Sequence, residues 1–223
     1  MTARLIAIEG LDGSGKETQT KLLRQFLEAQ GAKVGSISFP QYGEPSAALV
    51  EDYLKGGFGE NAADVNAYAA SSFFALDRLV SYLRKWRKEF ESCDVFLADR
   101  YVTSNAIHQC SKLPESEWAA FTTWLFEYEY KYLGLPRPNH VVYLRLDLAA
   151  SQKLLERRYG GDVSQRDVHE RDLAYLERSR CAAEWCCSRF NWTPVECTSN
   201  NALRAREDVH KELLEKLSLE GAL

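Results

Sequence analysis

The sequence predicts an α/β protein: a five-stranded parallel sheet with helices on both faces. Three observations predict it. Short apolar runs recur along the chain, spaced so that a helix fits between each pair. The first run, Leu5-Ile6-Ala7-Ile8, passes directly into the glycine-rich turn Gly10-Leu11-Asp12-Gly13-Ser14-Gly15-Lys16. An amphipathic stretch carrying Leu22, Leu23, Phe26 and Leu27 follows that turn. Sheets of this kind collect ligands at the carboxyl ends of their strands.

The elements follow in order. Residues 4–9 read as the first strand, and Gly31 stops the helix after the glycine turn. Residues 33–38 read as the second strand. A long helix is expected over 65–90, with Leu76, Val80, Leu83 and Phe90 toward the core. Residues 95–98 form the third strand. An aromatic-rich helix over 116–132 should stop at Gly134, with Pro136 and Pro138 beyond it. Residues 140–146 form the fourth strand. The helix over 149–158 is broken by Gly160-Gly161, and another helix runs over 171–190. Residues 192–197 make the fifth strand. A closing helix over 202–217 carries Val209, Leu213, Leu214 and Leu217. Residues 1–223 are expected to form a single domain.

Composition limits the partners. The 223 residues suffice for one large core, and 45% hydrophobic with 27% charged residues is ordinary for a water-soluble protein. A formal net charge of -4 argues against nucleic acid as a partner. No apolar run approaches the roughly 20 residues of a membrane span. The chain enters its first strand at once, so no signal peptide is expected. The six cysteines show no C-x-x-C spacing and read as reduced thiols, with Cys186 and Cys187 buried on a helix, which places the chain in the cytoplasm.

Gly10, Gly15 and Lys16 have the spacing of a P-loop. Such a loop turns backbone N–H groups onto phosphate oxygens, at the positive end of the following helix. Residues Gly10, Leu11, Asp12, Gly13, Ser14, Gly15, Lys16, Glu17 and Thr18 are therefore the expected phosphate site. Glu17 stands where a hydroxyl normally holds Mg²⁺; it either ligates the metal or turns away. A glycine turn that binds nothing is the alternative. Asp99 closes the third strand, where a P-loop enzyme places its Mg²⁺ carboxylate. Phe39-Pro40-Gln41-Tyr42-Gly43 closes the second. The segment 157–166 carries Arg157, Arg158 and Arg166 around two glycines and reads as a small lid. Alternatively, Arg157 and Arg158 merely favour a helix C-terminus.

With the P-loop, Phe39-Pro40 and Asp99-Arg100-Tyr101…Ser104 in place, the chain resembles the thymidylate kinases, with a P-loop kinase fold. The resemblance runs over about residues 5–192. It includes Phe73-Phe74-Ala75-Leu76-Asp77-Arg78, Gly134-Leu135-Pro136-Arg137-Pro138 and the arginine-bearing lid at about 157–171. It implies transfer of the γ-phosphoryl group of ATP to dTMP, giving dTDP and ADP, with Mg²⁺ and as a homodimer. Lys16, Asp99, Arg100, Arg157, Arg158 and Arg166 are then the catalytic candidates, and Asp99 with Glu17 the metal candidates. The resemblance also implies Asp12 at the 3′-hydroxyl and Arg100 on the acceptor phosphate with Arg78 beside it. Phe74 and Arg78, four apart, share a helix face, as a ring under a base and a guanidinium at its edge would. Phe39, Pro40, Tyr42, Ser104, Asn105 and His108 complete the pocket. His108 and His169 stand where family members commonly carry tyrosines near the deoxyribose, and Gly13 where some carry arginine. A kinase for another deoxynucleotide or a deoxynucleoside is the alternative within the class. A nucleotide-binding regulator without catalysis is the alternative outside it.

Overall fold

The computed structural model describes residues 3–158, 169, 172–199 and 202–217. Five strands form one sheet: β1 (Arg4–Gly10), β2 (Val34–Ser38), β3 (Val95–Asp99), β4 (His140–Arg145) and β5 (Thr193–Glu196). Their order is β2-β3-β1-β4-β5, and every pairing is parallel. β1 lies at the centre, with Ile8 level with Asp99 on one side and Val142 on the other. The order reverses at β1, so the crevice between β1 and β3 opens at their carboxyl ends.

The alternation of β1 explains the two faces. Leu5 and Ala7 point into one core with Phe96, Ala98, Tyr143, Ile107 and Phe121. Ile6 and Ile8 point into another with Leu97, Val142, Leu23, Leu27 and Leu213. On the second face α1 (Lys16–Ala29) packs beside α9 (Arg206–Lys216). On the first face α5 (Val102–Cys110) packs against α6 (Glu115–Phe126) and α8 (Leu173–Phe190). Cys186 and Cys187 are buried there, as expected. Two more helices, α2 (Ala48–Leu54) and α3 (Ala67–Ser81), meet in a small satellite core of Val50, Tyr53, Leu54 and Ala70.

Three sequence expectations need correction. The helix over 65–90 is α3, a π turn at Tyr82–Trp86 and α4 (Arg87–Ser92), and its inward face is not the leucine face. Leu76 and Leu83 are exposed, while Ser71, Ala75, Arg78 and Ser81 are buried. The interior beside α3 is a polar cleft, so small and charged residues line it and the leucines turn outward. The closing helix starts at Arg206; Ala202–Leu203 is instead a strand, β7, paired antiparallel with β6 (Thr198–Ser199). The aromatic-rich helix also ends in a π turn, Glu127–Tyr132, and α7 (Leu148–Arg158) precedes the proposed lid.

Candidate active site

The P-loop is built by close approach. A Cβ on Gly10 would run into Ser14 Oγ and crowd the Leu144 carbonyl at 3.0 Å, so glycine lets the turn fold close against its neighbours. Gly15 caps α1 at φ 83, a left-handed conformation that glycine adopts freely. Lys16 lies back along the loop, its Nζ donating to Gly10 O at 3.1 Å and Leu11 O at 3.0 Å. Its Nζ is 4.0 Å from Asp12 Oδ1. Burial lowers its pKa, the Arg100 charge lowers it further, and Asp12 only partly opposes, leaving it at about 8. Free enzyme should therefore lose its affinity for ATP phosphates as pH rises through that value. The expected result is a fall of kcat/KM for ATP above about pH 8, with kcat itself flatter because bound phosphates restore the proton. A flat kcat/KM profile across about pH 7–10 would contradict this.

Arg100 follows β3 with φ 64, a conformation that costs a non-glycine residue about 1–3 kcal/mol. Its N–H donates to Ile8 O at 3.0 Å, which ties the end of β3 to β1. Its side chain lies over the P-loop, Nη2 donating to Asp12 Oδ1 at 2.5 Å and Nη1 meeting His108 Nε2 at 3.1 Å. Burial works against the Asp12 charge, but Arg100 and then Lys16 outweigh it and hold the carboxyl well below its ordinary range. Arginine only donates, so His108 Nε2 is the acceptor. Burial, and then Arg100, lower the His108 pKa to about 3, so the ring is neutral and carries its proton on Nδ1. That Nδ1 is buried and has no partner among the described residues.

Three buried carboxylates hold the surrounding walls. Glu9 accepts from Tyr101 N at 3.0 Å, Thr103 Oγ1 at 2.6 Å and Ser104 Oγ at 2.6 Å, fixing the start of α5. Asp77 accepts from Gln41 N at 2.9 Å and Ser46 Oγ at 2.7 Å, holding the turn after Pro40 onto α3. Glu129 accepts two bonds of 2.6 Å from Arg78. Between these walls lies an open cleft. Every residue assigned above to the acceptor pocket lines it: Asp12, Phe39, Pro40, Tyr42, Phe74, Arg78, Arg100, Ser104, Asn105 and His108. Phe39 is also core, packed on Trp86 and Tyr101. His169 lines the cleft too, its Nε2 2.8 Å from Tyr53 Oη and its ring stacked on His108 and Tyr175. Lys112 donates to the same Tyr53 Oη at 2.8 Å, and burial lowers its pKa to about 7.

Several residues went unread in the sequence. Gln109 is fully buried, lines the cleft and has no partner for either amide atom among the described residues. Its only sequence signal is its place one residue after His108. Glu9 and Glu129 look like ordinary charges in sequence. A second cleft lies on the other side of the P-loop, between Asp147, Ala149, Ala150, Lys153 and Leu154 on one wall and Ala202 and Leu203 on the other. It is joined to the loop by Ser151 Oγ, which donates to Asp12 O at 2.7 Å.

Asp99 and Glu17 flank Lys16 at the end of β3 and the start of α1. Burial raises the Asp99 pKa, Lys16 and Arg100 oppose it, and the Glu17 charge adds to the rise. The two carboxylates offer hard oxygen donors, which fit Mg²⁺. Among the described residues, no group of three or more His, Cys, Asp or Glu could hold a metal ion by itself. Thr18 is exposed on α1. Arg157 and Arg158 end α7, and their side chains lie outside the described residues, as does all of Arg166.

Comparison with known proteins agrees with this geometry. The thymidylate kinase family model matches residues 8–213. A thymidylate kinase of Mycobacterium tuberculosis (strain ATCC 25618 / H37Rv) is 35% identical over 181 residues, covering 78% of this chain and 81% of its own. That of Schizosaccharomyces pombe is 27% identical over 220 residues, covering 96% and 91%. The structure of the thymidylate kinase from Candida albicans superposes with a TM-score of 0.70 at 22% identity, covering 99% of this chain and 93% of that one, a likeness of fold. The β1 glycine loop, the Arg100–Asp12 pair and the family match over 8–213 lead to one conclusion: the chain belongs to the thymidylate kinase family.

Proposed function

We infer that the cleft takes dTMP and that the P-loop takes the phosphates of ATP, so that the chain, a dTMP kinase, moves the γ-phosphoryl group across the gap between Lys16 and Arg100. The observation that carries this is the Arg100–Asp12 pair, 2.5 Å apart at the cleft mouth and next to the P-loop lysine. Phosphoryl transfer needs little covalent help from protein; it needs in-line positioning and charge neutralisation. Arg100 supplies both for the acceptor phosphate. Asp12 holds the guanidinium at the cleft mouth and offers a carboxylate oxygen to a sugar hydroxyl. Phe74 provides a ring for the base, and Arg78, Asn105 and Gln109 provide the polar groups around its edge. The second cleft, with alanine and leucine walls, suits the adenine of ATP. Arg157, Arg158 and Arg166 are the proposed lid arginines that add positive charge as the site closes. The direct test is transfer of label from γ-labelled ATP to dTMP. Labelled dTDP is expected, and release of labelled phosphate to water instead would contradict the acceptor assignment.

Asp99 and Glu17 are the oxygen donors that would hold Mg²⁺. The metal supplies charge neutralisation at the phosphates. Glu17→Ser should stay active and need severalfold more Mg²⁺ for half-maximal turnover. An unchanged Mg²⁺ titration would leave the metal to Asp99 alone.

The exposed Tyr68, Leu76 and Leu83 along α3 and its π turn provide an apolar face for a second copy of the chain. Sedimentation equilibrium should give the mass of two copies; the mass of one would contradict the dimer. No helix among the described residues is long and apolar enough to cross a membrane. All six cysteines are free, which suits the reducing cytoplasm, the location we assign; recovery in a membrane or secreted fraction would contradict it.

A further inference from the structure

Glu129 lies outside the P-loop and off every strand end, and it is fully buried. It sits in the π turn Glu127–Tyr132. Glu129 continues the buried face of α6, which starts at Trp118 and runs through Thr122 at i+4 and Leu125 at i+7 to Glu129 at i+11, so the helix carries a carboxylate to the interior. Glu129 Oε2 accepts from Arg78 Nε and Oε1 from Arg78 Nη2, both at 2.6 Å. Oε1 also accepts from Asn105 Nδ2 at 3.2 Å, and the same amide nitrogen donates to Ser71 O at 3.2 Å.

Those contacts fix the chemistry of the cleft wall. A carboxylate and a carbonyl, both acceptors, face one end of the Asn105 amide. The NH₂ must face them, so Oδ1 is the polar atom Asn105 has left to offer. Arg78 gives two N–H groups to Glu129 and one to Tyr101 O at 3.4 Å. What it has left can only donate. Both residues line the cleft. With a carboxylate at 129, the wall therefore presents a donor beside an acceptor, in one fixed arrangement.

We propose that Glu129 is the positioning residue that sets the hydrogen-bond polarity of the acceptor cleft. It thereby selects a pyrimidine edge with a carbonyl oxygen beside a ring N–H over one with an amino group beside a bare ring nitrogen. The proposal rests on the dTMP reading above and deepens it. Glu129 touches no substrate atom; it acts through Arg78 and Asn105. Thymine presents the favoured edge and cytosine the reverse.

The test is the ratio of kcat/KM for dTMP over dCMP in wild type, Glu129→Gln and Glu129→Asp, with the ATP KM measured in parallel. Glutamine puts an NH₂ where an acceptor is needed, so Arg78 or Asn105 must turn. The dTMP KM should rise about tenfold or more, the ATP KM should stay within about twofold, and the dTMP/dCMP ratio should fall about tenfold or more. Aspartate keeps the charge and withdraws it by one methylene, so its ratio should lie between the other two. A purely structural lesion lowers both nucleotides alike and leaves the ratio where it was; that result would overturn the proposal. If Glu129→Gln does not fold, Glu129→Asp decides, and a wild-type ratio there would overturn it. Wild type with no dTMP turnover would overturn the kinase reading and this proposal with it. Normal wild-type turnover with an unmoved ratio in the variants would overturn only the role of Glu129.

Discussion

Lys16→Met should lose about 10²–10³-fold in kcat while its thermal transition stays near that of wild type. Methionine is one atom shorter than lysine and keeps an unbranched apolar stem, but brings no proton donor and no charge. The two bonds lost, to Gly10 O and Leu11 O, are to loop carbonyls beside the open site. The charge itself does not stabilise the free fold. The Lys16 pKa drops from 10.5 in the reference state to about 8 in the folded chain, so folding disfavours the protonated form. Between those values the unfolded chain binds more protons, and stability rises with pH; below about pH 8 the folded state carries the full penalty of the buried cation. Removing that cation at neutral pH therefore relieves the fold rather than weakening it. Turnover and thermal unfolding measured on one preparation check both halves. Near-normal turnover would contradict the P-loop assignment, and a collapsed transition would contradict the electrostatic argument.

Arg100→Ala should act on the acceptor. It removes the cation bonded to Asp12 and His108 and leaves the partly buried Asp12 beside Lys16 alone. Losing one partner of a buried charge contact typically costs about 2–5 kcal/mol, or roughly 30- to 3000-fold in kcat/KM. Both the dTMP KM and kcat should suffer, since Arg100 positions the phosphate as well as attracting it. The ATP KM should change far less, because the glycine loop and Lys16 remain. The left-handed backbone at residue 100 is no easier for alanine than for arginine, so the variant does not relax that strain. Steady-state kinetics with each substrate varied in turn provide the check. A change confined to the ATP KM would reverse the roles given to Arg100 and Lys16.

The sheet was legible in the sequence because its strands are buried on both faces and appear as unbroken apolar runs. Leu5 to Ile8, Val95 to Ala98 and Val141 to Leu144 all have this form. The P-loop and the Asp99-Arg100 pair were legible because strand ends collect function. Helix faces beside the cleft were not. Amphipathic reasoning sends Leu76 and Leu83 inward, yet the interior there is polar and takes Ser71, Arg78 and Ser81. α5 escaped notice for the opposite reason: eight of its nine residues are buried, so Val102 to Cys110 shows no polar stripe to set a period. Glu129 was hidden by its charge. A 3.6-residue period running on from Trp118, Thr122 and Leu125 puts Glu129 on the buried face, but a glutamate there reads as a surface charge until Arg78 is seen opposite it. Gln109 carries no local signal, and the stacking of His108 on His169, about sixty positions away, is a contact that no local pattern encodes.

The central claim is that one cleft, gripped by Arg100 and lined by Arg78, Asn105 and Gln109, takes dTMP as phosphoryl acceptor. The measurement that tests it most directly is acceptor-dependent ADP formation from ATP, with kcat/KM determined for dTMP, dUMP, dCMP, dAMP and dGMP on the wild-type chain. The account predicts that dTMP gives the highest value and that ADP release without an acceptor is negligible. ADP formation indifferent to the acceptor, or a preference for a purine monophosphate, would contradict it.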